Sequence, residues 1–556
     1  MNFSKEIKAY ALRNALEFGK ADAGRILPKL FQHGLEKSDI KKVMPEIQKI
    51  VKEINSLKNE EREREFEGLK EFVKEREEKE KDLPEINLGG IKEVITRMAP
   101  EPSKYNHIGH ALTFLLNYMY AKKYNGKCLL RFEDTNPEKV SQEYVDSMKE
   151  DVLDYLEIKA DGIRFVSDDM LLLYENAEKL IKMGKAYMCF CDRKKMQDLR
   201  HEGKECKCRN NSIEKNLKEW EKFLKGDYMK GEAVLRIKGD MKNQNHVMRD
   251  SVLFRAVQAP HYKYKDKYKI WPMYDFYNPI EDSLMGVTLI LRSNEFDLRV
   301  ELQDYIKELL NLKKQVIAQY GRFNVIDFTT KGREIRELVE SGELIGWDDP
   351  RLITLKALKR RGIVKEAFYE LAKQTGLSKH PVNLDFDMVA AINRKIIDPI
   401  ANRYSFVKNQ IKLKIENSPQ IKEVEVPVHP DKPEKRKVKI GKEIFISEED
   451  AKALKGKEIR LLHLYNIKLE KTIKKGTLGA TYTSTEVKDI PKINWVSEGA
   501  KAKVLMENGQ WIPGLAERAV EGLKAGDEIQ FERFGFCRFD NYNKKEDCYE
   551  LWFSHR

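Results

Sequence analysis

The stretch of sequence that decides the fold is residues 93–134, EVITRMAPEPSKYNHIGHALTFLLNYMYAKKYNGKCLLRFED. It begins with a short strand pattern, EVITRM, which leads through a loop with two prolines into a long apolar helix pattern, ALTFLLNYMYAKKY. The turn dipeptide Asn125-Gly126 precedes a second strand pattern, KCLLRFED. Strand, loop, helix and strand in this order predict a parallel βαβ unit. In such a unit, ligands bind at the carboxyl ends of the strands and at the amino terminus of the helix.

The tetrapeptide His107-Ile108-Gly109-His110 lies where the predicted loop meets the predicted helix. A helix amino terminus offers free N–H groups and the positive end of a dipole, and both favour phosphate. Gly109 would let a flat base approach the backbone, and the two histidines would hydrogen-bond a triphosphate. For an isolated His-x-x-His the simpler interpretation is a pair of polar residues that cap a helix.

The sequence on either side of the tetrapeptide favours the functional interpretation. RMAPEP (97–102) precedes it and LRFEDTNP (130–137) follows it. Together they resemble the class I aminoacyl-tRNA synthetases of the glutamyl/glutaminyl branch, whose first signature is the tetrapeptide. The resemblance implies a Rossmann-like catalytic fold with ATP as a substrate and His107, Gly109 and His110 in the catalytic role. It also implies that the amino acid is bound by Arg97, Ala99, Glu101 and Glu133.

A second block, residues 271–299, reads WPMYDFYNPIEDSLMGVTLILRSNEFDLR, and its GVTLILR core predicts another buried parallel strand. Tyr274 and Asn278 match amino-acid-binding positions of the branch. Arg292 matches a position where glutamyl enzymes carry arginine and glutaminyl enzymes a neutral residue. A γ-carboxylate in a dry pocket needs a cation, whereas an amide would leave the guanidinium unpaired. The substrate is therefore predicted to be glutamate, with a glutaminyl-tRNA synthetase as the first alternative.

The second signature of class I enzymes is a lysine-containing loop, and its best match is FTTKGR at 328–333. In this placement Lys331 and Arg333 would supply positive charge to the triphosphate as pyrophosphate leaves. The loop departs from the usual pattern, which leaves a non-catalytic tRNA-binding paralogue as a second alternative. The following stretch, GWDDPRLITLKALKRRGI (346–363), resembles the archaeal and eukaryotic sub-branch and would lead into a helical region that touches the tRNA.

Seven cysteines in a long chain indicate a reducing compartment, and the predicted location is the cytoplasm. Four of them form two Cys-x-Cys pairs, which suit tetrahedral Zn²⁺: Cys189, Cys191, Cys206 and Cys208. Disulfides and unligated thiols are the alternatives. Such a zinc ion would be structural, because four protein ligands leave no open position. By the resemblance, it would brace an insertion that receives the acceptor end of the tRNA.

The composition is that of a globular protein with a heavily ionised surface: 35% of residues are charged and the formal net charge is +12. This charge favours an acidic partner such as nucleic acid, although a solvated charged surface explains it equally well. The amino terminus does not read as a signal peptide. No run of about 18 apolar residues occurs, so no transmembrane helix and no membrane partner are expected.

The two ends of the chain differ in pattern. Residues 1–57 have helical periodicity, and residues 58–82 are nearly all charged, which predicts an exposed helix or a tether. Residues 1–85 resemble the helical extension of archaeal members. Residues 404–556 alternate like strands and resemble the paired β-barrels of the glutaminyl-like sub-branch. Four basic residues there would either hold phosphate or form a solvated face: Lys435, Arg436, Lys437 and Lys439.

We therefore predict a multidomain chain, α/β plus all-β. Its predicted parts are an N-terminal helical extension with a charged tether (1–88), the first half of a Rossmann-like catalytic fold (89–168), an acceptor-end insertion with the cysteine cluster (169–270), the second half of the catalytic fold (271–327), a signature loop with a helical stem-contact region (328–403) and tandem anticodon-binding β-barrels (404–556). The resemblance implies ATP with Mg²⁺, glutamate and tRNA(Glu) as ligands of a monomer. Whether tRNA(Gln) is also charged is left open.

Overall fold

The structure is a computed structural model that describes residues 3–74, 82–474 and 476–556. Its contacts divide the chain into two compact units, residues 1–81 and residues 82–556. None of the helices in the described ranges combines the length and the apolarity that crossing a membrane requires.

The described residues contain helices and strands in the following order. The α-helices are α1 (Ser4–Phe18), α2 (Ala23–Leu30), α3 (Ile40–Ser56), α4 (Asn59–Glu67), α5 (Ile108–Lys123), α6 (Gln142–Lys149), α7 (Met170–Lys182), α8 (Arg193–Glu202), α9 (Ile213–Lys225), α10 (Tyr274–Leu284), α11 (Asp297–Leu310), α12 (Gly332–Glu340), α13 (Leu355–Arg360), α14 (Lys365–Thr375), α15 (Phe386–Ile397) and α16 (Glu448–Ala453). The strands are β1 (Ile95–Met98), β2 (Lys127–Phe132), β3 (Ile163–Phe165), β4 (Ala186–Cys189), β5 (Val234–Ile237), β6 (Val252–Ala256), β7 (Ile270–Pro272), β8 (Leu289–Ser293), β9 (Val316–Tyr320), β10 (Phe323–Val325), β11 (Val382–Leu384), β12 (Asn402–Tyr404), β13 (Phe406–Lys408), β14 (Gln410–Glu416), β15 (Glu423–Pro427), β16 (Lys435–Lys439), β17 (Ile444–Ser447), β18 (Glu458–Leu461), β19 (Asn466–Lys474), β20 (Thr477–Ser484), β21 (Lys492–Ile493), β22 (Ala500–Leu505), β23 (Trp511–Ala516), β24 (Glu528–Phe531), β25 (Gly535–Asn543) and β26 (Cys548–His555).

The N-terminal unit is helical and has its own apolar core, to which α1, α2 and α3 contribute buried side chains. The charged run from residue 58 takes the helical form of the prediction as α4. It is not wholly exposed, because Arg62 is buried and donates to the carbonyl oxygens of Ile54 and Gly19, both at 3.1 Å. Residues 75–81, where the predicted tether continues, lie outside the described residues.

The predicted βαβ unit is confirmed in the second unit. Strands β1 and β2 pair in parallel, with Arg97 opposite Leu129, and β3 adds in parallel on the far side of β2. The pair β8–β9 is also parallel, and the Thr288 N–H donates to the Ile95 carbonyl oxygen at 2.9 Å, which places β8 beside β1. Helix α5 packs between these strands and α14, so it is apolar on nearly every side. This is a Rossmann-like layer.

The segment that enters this layer packs against α5. Leu83 is buried, the Tyr120 hydroxyl donates to the Pro84 carbonyl oxygen at 2.9 Å, and the Ile86 N–H donates to the Tyr124 hydroxyl at 2.8 Å. Residues 83–88, which the sequence prediction assigns to the N-terminal extension, therefore pack with the larger unit.

Between β3 and β8 the chain forms an antiparallel sheet in the order β4-β5-β6-β7. Its core includes three large buried aromatic side chains, those of Trp220, Phe254 and Trp271. Helices α7 and α9 pack against each other and against β4. The sheet is an insertion between the two halves of the parallel layer.

The C-terminal region contains a seven-stranded sheet, β12-β24-β25-β26-β22-β23-β13, and a six-stranded sheet, β17-β14-β20-β19-β18-β21. The predicted all-β character is confirmed, but the two modules interleave, because β12 and β13 precede the six-stranded sheet in sequence and complete the other one. Arg361, directly after α13, ties that helix to the seven-stranded sheet by donating to the carbonyl oxygens of Phe553 (3.3 Å) and Ser554 (2.8 Å).

Three of the four basic residues of β16 have acidic partners within the chain. Lys437 pairs with Glu423 across the β15–β16 ribbon at 2.9 Å, Lys435 pairs with Glu425 at 3.6 Å, and Arg436 pairs with the buried carboxylate of Glu517. These three charges are therefore partly balanced within the chain.

Candidate active site

The amino terminus of α5 is closed by its two histidines. The Gly109 N–H donates to His107 Nδ1 at 3.1 Å, and the His107 N–H donates to His110 Nδ1 at 3.1 Å. Because Nδ1 accepts in both rings, the proton of each neutral imidazole is on Nε2. The caps that satisfy the backbone therefore leave two Nε2–H donors for a ligand.

The charge state of these histidines follows from their surroundings. Burial, together with Lys104 and Arg322, lowers the pKa of His107 to about 3. Burial and the neighbouring His107 hold the pKa of His110 well below its usual value. Both rings are neutral at pH 7, and the positive charge beside them comes from Lys104 and Arg322. The sequence prediction missed these two cations, since neither belongs to a recognised motif.

The His107 ring lies close over Gly109. A Cβ atom at Gly109 would lie 3.1 Å from His107 Cε1 and 3.6 Å from Phe323 Cβ. In the sequence-based prediction, this glycine lets a base approach the backbone. The structure adds that a side chain here would crowd the His107 ring, which would have to shift to make room.

A network of buried charges lies at the carboxyl ends of β1 and β2. Arg97 Nε and Arg131 Nη1 both donate to Asp282 Oδ1, at 3.0 and 2.7 Å, and Arg131 Nη2 donates to Glu133 Oε1 at 3.0 Å. Burial alone would raise the pKa of Asp282, but the two arginines lower it. Asp282 thus stays ionised and fixes both guanidinium groups. Sequence reasoning missed Arg131 and Asp282, although both stand inside the quoted blocks.

Glu133 combines with residues of α10. Its Oε2 accepts from the Tyr277 hydroxyl at 3.2 Å. The Asn278 amide is best oriented with its oxygen accepting from Arg131 Nη2 at 2.8 Å and its nitrogen donating to Asp282 Oδ2 at 3.2 Å, because the reverse orientation sets its oxygen against acceptors. Burial raises the pKa of Glu133, against the pull of Arg131. The site therefore holds a carboxylate suited to an ammonium group.

Arg292, at the end of β8, is the least satisfied charge in the site. Its side chain is 5% exposed. Nη1 donates to Gln303 Oε1 at 2.9 Å and to the Tyr274 hydroxyl at 3.4 Å. Nε and Nη2 are buried and have no partner among the described residues. A buried guanidinium with two unpaired N–H edges is costly unless a ligand supplies the acceptor.

Two further predicted residues lie in the loop after β1. Ala99 is half-buried and Glu101 is exposed, and the Ser103 N–H donates to the Glu101 carbonyl oxygen at 2.8 Å. From the same loop, Lys104 Nζ reaches the Thr330 carbonyl oxygen at 3.4 Å. The loop that carries the first signature thus adjoins the loop predicted to carry the second.

The two cations predicted for the second loop have partners on their own helix. Lys331 pairs with Glu334 at 2.7 Å and Arg333 with Glu337 at 2.9 Å, and all four side chains are exposed. The cations whose charge acts on His107 are instead Lys104 and Arg322. A direct role for Lys331 and Arg333 stays a prediction.

Residues 346–363 pack against the loop that precedes the paired histidines. The rings of Tyr105 and Trp347 stack at 4.7 Å and 23°, and the Leu355 N–H donates to the Asn106 carbonyl oxygen at 2.9 Å. The same stretch contains Arg361, which contacts the seven-stranded sheet. One segment therefore touches both the paired histidines' loop and the C-terminal region.

The four predicted cysteines converge at the edge of the inserted sheet. Their sulfur atoms lie within 4.8 Å of one another, with Cys189–Cys206 at 4.0 Å and Cys191–Cys208 at 3.8 Å. A tetrahedron with Zn–S bonds of about 2.3 Å places its sulfurs about 3.8 Å apart. Within the described ranges, this is the one group of three or more residues placed to ligate a metal.

Comparison with known proteins agrees with this geometry. Residues 93–399 match the family model for the catalytic domain of tRNA synthetases class I (E and Q), and residues 401–486 and 492–540 match two models for the anticodon-binding domain of the same synthetases. The chain belongs to the class I (E and Q) tRNA synthetases. The family and fold predictions are thereby confirmed.

Relatives of this class I (E and Q) chain cover nearly its whole length. A glutamate–tRNA ligase of Pyrococcus furiosus is 38% identical over 97% of this chain and 98% of its own. One of Methanocaldococcus jannaschii is 38% identical over 99% and 100%. One of Nitrosopumilus maritimus is 40% identical over 97% and 98%. The catalytic match contains the paired histidines, Arg292 and the cysteine cluster.

Proposed function

We propose that the chain is a glutamate–tRNA ligase, which activates glutamate with ATP and transfers it to the 3′ end of tRNA. The observation that carries the choice of glutamate is the buried Arg292, whose Nε and Nη2 lack acceptors. A γ-carboxylate would satisfy both nitrogens at once, and a side-chain amide would bring only one acceptor oxygen and an opposing NH₂ group. The names of the relatives favour the same substrate.

The first half-reaction is supported by the histidine site. An oxygen of the α-carboxylate of glutamate attacks the α-phosphorus of ATP. The bond between the α-phosphorus and the oxygen that bridges to the β-phosphorus breaks, and pyrophosphate leaves. The Nε2–H groups of His107 and His110 donate to phosphate oxygens, and Lys104 and Arg322 stabilise the charge that builds up. Neutral histidines can fill this role, because each still carries one N–H donor, which is on Nε2 here.

The second half-reaction transfers the activated acyl group. A ribose hydroxyl of the terminal nucleotide attacks the carbonyl carbon of glutamyl-adenylate, and AMP leaves with the bonding electron pair. Glu133 holds the α-ammonium group through both steps, positioned by Arg131 and Tyr277. No side chain of the enzyme needs to form a covalent intermediate.

Two metals belong to the proposal. For Mg²⁺, the described residues of the histidine site offer no cluster of carboxylates, so it would enter with the phosphates of ATP and its own waters. For zinc, the cysteine cluster fits in ligand type, number and spacing, so Cys189, Cys191, Cys206 and Cys208 would hold it. Bound there, zinc would crosslink the end of β4 to the turn after α8 and stiffen the insertion.

The remaining parts of the chain are assigned to tRNA. We propose that the insertion (169–270) receives the acceptor end, that 328–403 contacts the inside of the tRNA, and that 404–556 reads the anticodon. The family model for anticodon binding at 401–486 supports the last assignment. The helical residues 1–88 would add a further contact with tRNA or a protein, and the partner tRNAs would be tRNA(Glu) and, with loose anticodon reading, tRNA(Gln).

The test is ATP–pyrophosphate exchange by the purified full chain in the presence of tRNA, with glutamate or glutamine as substrate. We expect exchange with glutamate and preference for it over glutamine. Preference for glutamine would contradict the proposal, and absence of exchange with cognate tRNA present would favour the non-catalytic alternative. Charging of purified tRNA(Glu) and tRNA(Gln) in parallel then determines which tRNAs are substrates.

A further inference from the structure

A chain of polar contacts runs behind Arg292 and involves residues that no motif singled out. Gln303, on α11, is buried at 2% exposure, and its Oε1 accepts from Arg292 Nη1 at 2.9 Å. Its Nε2 donates to Asp275 Oδ1 at 3.4 Å. Asp275, in the first turn of α10, forms an ion pair with Arg299 of α11. The order is Arg299, Asp275, Gln303 and Arg292.

The charged neighbours of Gln303 fix the direction of its amide. In the reverse orientation the NH₂ group would face the Arg292 guanidinium and the amide oxygen would face the Asp275 carboxylate, and both contacts would be repulsive. Gln303 therefore presents an oxygen to Arg292 at all times. That oxygen holds one guanidinium nitrogen and leaves Nε and Nη2 for another acceptor.

A neutral partner matters because the substrate group is itself an anion. A carboxylate at position 303 would pair with Arg292, lower its net charge and compete with an incoming γ-carboxylate. Gln303 also stands between Arg292 and Asp275, whose carboxylate is close enough for the Arg292 charge to act on it. Asp275 forms its ion pair with Arg299, and the Arg299 guanidinium lies 5.7 Å from the Tyr274 ring.

We propose that Gln303 is a positioning residue for glutamate specificity: its amide oxygen aims the Arg292 guanidinium at the substrate side chain without neutralising it, and Asp275, held by Arg299, sets the direction of that amide. The proposal rests on the proposed function, since it presumes that Arg292 receives the γ-carboxylate. It predicts that substitutions at 303 act on glutamate binding and not on the nucleotide.

The experiment measures tRNA-dependent ATP–pyrophosphate exchange with the full chain and its variants Gln303→Met and Gln303→Glu. Gln303→Met keeps the size but removes the acceptor, so the KM for glutamate should rise about tenfold. Gln303→Glu should raise it by about thirtyfold or more and reduce the preference for glutamate over glutamine, because the new carboxylate pairs with Arg292. The kcat and the KM values for ATP and tRNA should stay within about twofold of wild type in both variants.

Two more variants separate positioning from a structural role. Asp275→Asn should raise the KM for glutamate about threefold, because the Gln303 amide then loses its fixed direction. In an Arg292→Gln background, Gln303→Met should have no further effect on the KM for glutamate, because the guanidinium that Gln303 positions is absent. The matched control is Glu308→Gln, which changes one charge on the exposed face of the same helix and should leave all constants unchanged.

The outcomes are distinguishable. A wild-type chain that prefers glutamine, or shows no exchange, defeats the proposed function before any variant is compared. With wild-type glutamate exchange established, an unchanged KM for glutamate in Gln303→Glu overturns the positioning role. So do equal losses for ATP and glutamate, or an undiminished effect in the Arg292→Gln background. If Gln303→Glu does not fold, Gln303→Met and Asp275→Asn carry the same test.

Discussion

The side chains of His107 and His110 accept hydrogen bonds from backbone N–H groups within the four residues 107–110. Arg292, in contrast, takes its hydrogen-bond partners from residues 11 and 18 positions away and keeps two nitrogens unpaired. The proposed nucleotide end of the site thus has its backbone groups paired before a ligand arrives, whereas the proposed amino-acid end keeps unpaired nitrogens. Phosphate is bound well by N–H donors and nearby cations, which one helix terminus and its loop can supply. Discrimination of glutamate needs a dry, charged pocket, which only tertiary packing can build.

The largest expected effect comes from removing the unpaired charge. Arg292→Gln should lower kcat/KM for glutamate in the exchange assay by about 1,000-fold, since two charge-assisted hydrogen bonds in a buried site are lost. Arg292→Lys keeps the charge but lacks the planar guanidinium, so its kcat/KM for glutamate should lie between those of Arg292→Gln and wild type. Equal activity of all three proteins would show that Arg292 does not face the substrate.

The nucleotide end can be tested without disturbing its helix cap. His107→Asn keeps an acceptor that caps α5 but removes the Nε2–H donor, so kcat for exchange should fall about 100-fold. The free energy of unfolding in urea should change by less than about 0.5 kcal/mol at pH 7.5, because the cap remains. A large loss of stability together with activity would instead mean that the cap is the whole role of His107.

Tyr277 tests whether Glu133 is held for the ammonium group. Tyr277→Phe removes the hydroxyl that donates to Glu133 Oε2. The KM for glutamate should rise about fivefold, consistent with the loss of one hydrogen bond to a charged group, and the KM for ATP should not change. A matched rise in the KM for ATP would contradict the separation of the two ends.

The contrast between partners that are close and distant in sequence also explains which site residues the sequence predicts. The paired histidines and the βαβ unit are local patterns, so the sequence alone places them. Arg292 becomes interpretable through resemblance to a family, since nothing near it in sequence shows that it is buried. Gln303 and Asp282 escape prediction because their partners lie on other elements, Arg292 on β8 and Arg97 on β1.

Boundaries and loops are also underdetermined by local pattern. The sequence prediction places Leu83 and Pro84 in the N-terminal extension (1–88), yet Leu83 is buried and the Pro84 carbonyl oxygen accepts a hydrogen bond from Tyr120 on α5. The motif at 328–333 supplies two plausible cations, while the cation that contacts that loop, Lys104, comes from the loop between β1 and the paired histidines. In both cases the deciding contact is distant in sequence.

The smallest expected effect concerns pH and tests whether the nucleotide end is neutral. The pKa of His107 is lowered to about 3 by burial and by Lys104 and Arg322, while in an unfolded chain it is about 6.5. As the pH falls below about 6.5, the unfolded chain takes up the proton first, so the contribution of His107 to stability is present above that pH and is lost between it and about 3.

Burial raises the pKa of Asp151 to about 7 and that of Glu281 to about 8, and these groups act in the opposite sense, so the difference between two proteins is the useful quantity. Between pH 7.5 and 5.5, wild type should lose about 0.5–1 kcal/mol more stability than His107→Asn, a figure reduced for the partial exposure of the ring. Urea unfolding at the two pH values measures this difference. Identical losses in the two proteins would mean that His107 is protonated near its ordinary pKa, and the nucleotide end would then carry a titrating charge where the structure places a neutral donor.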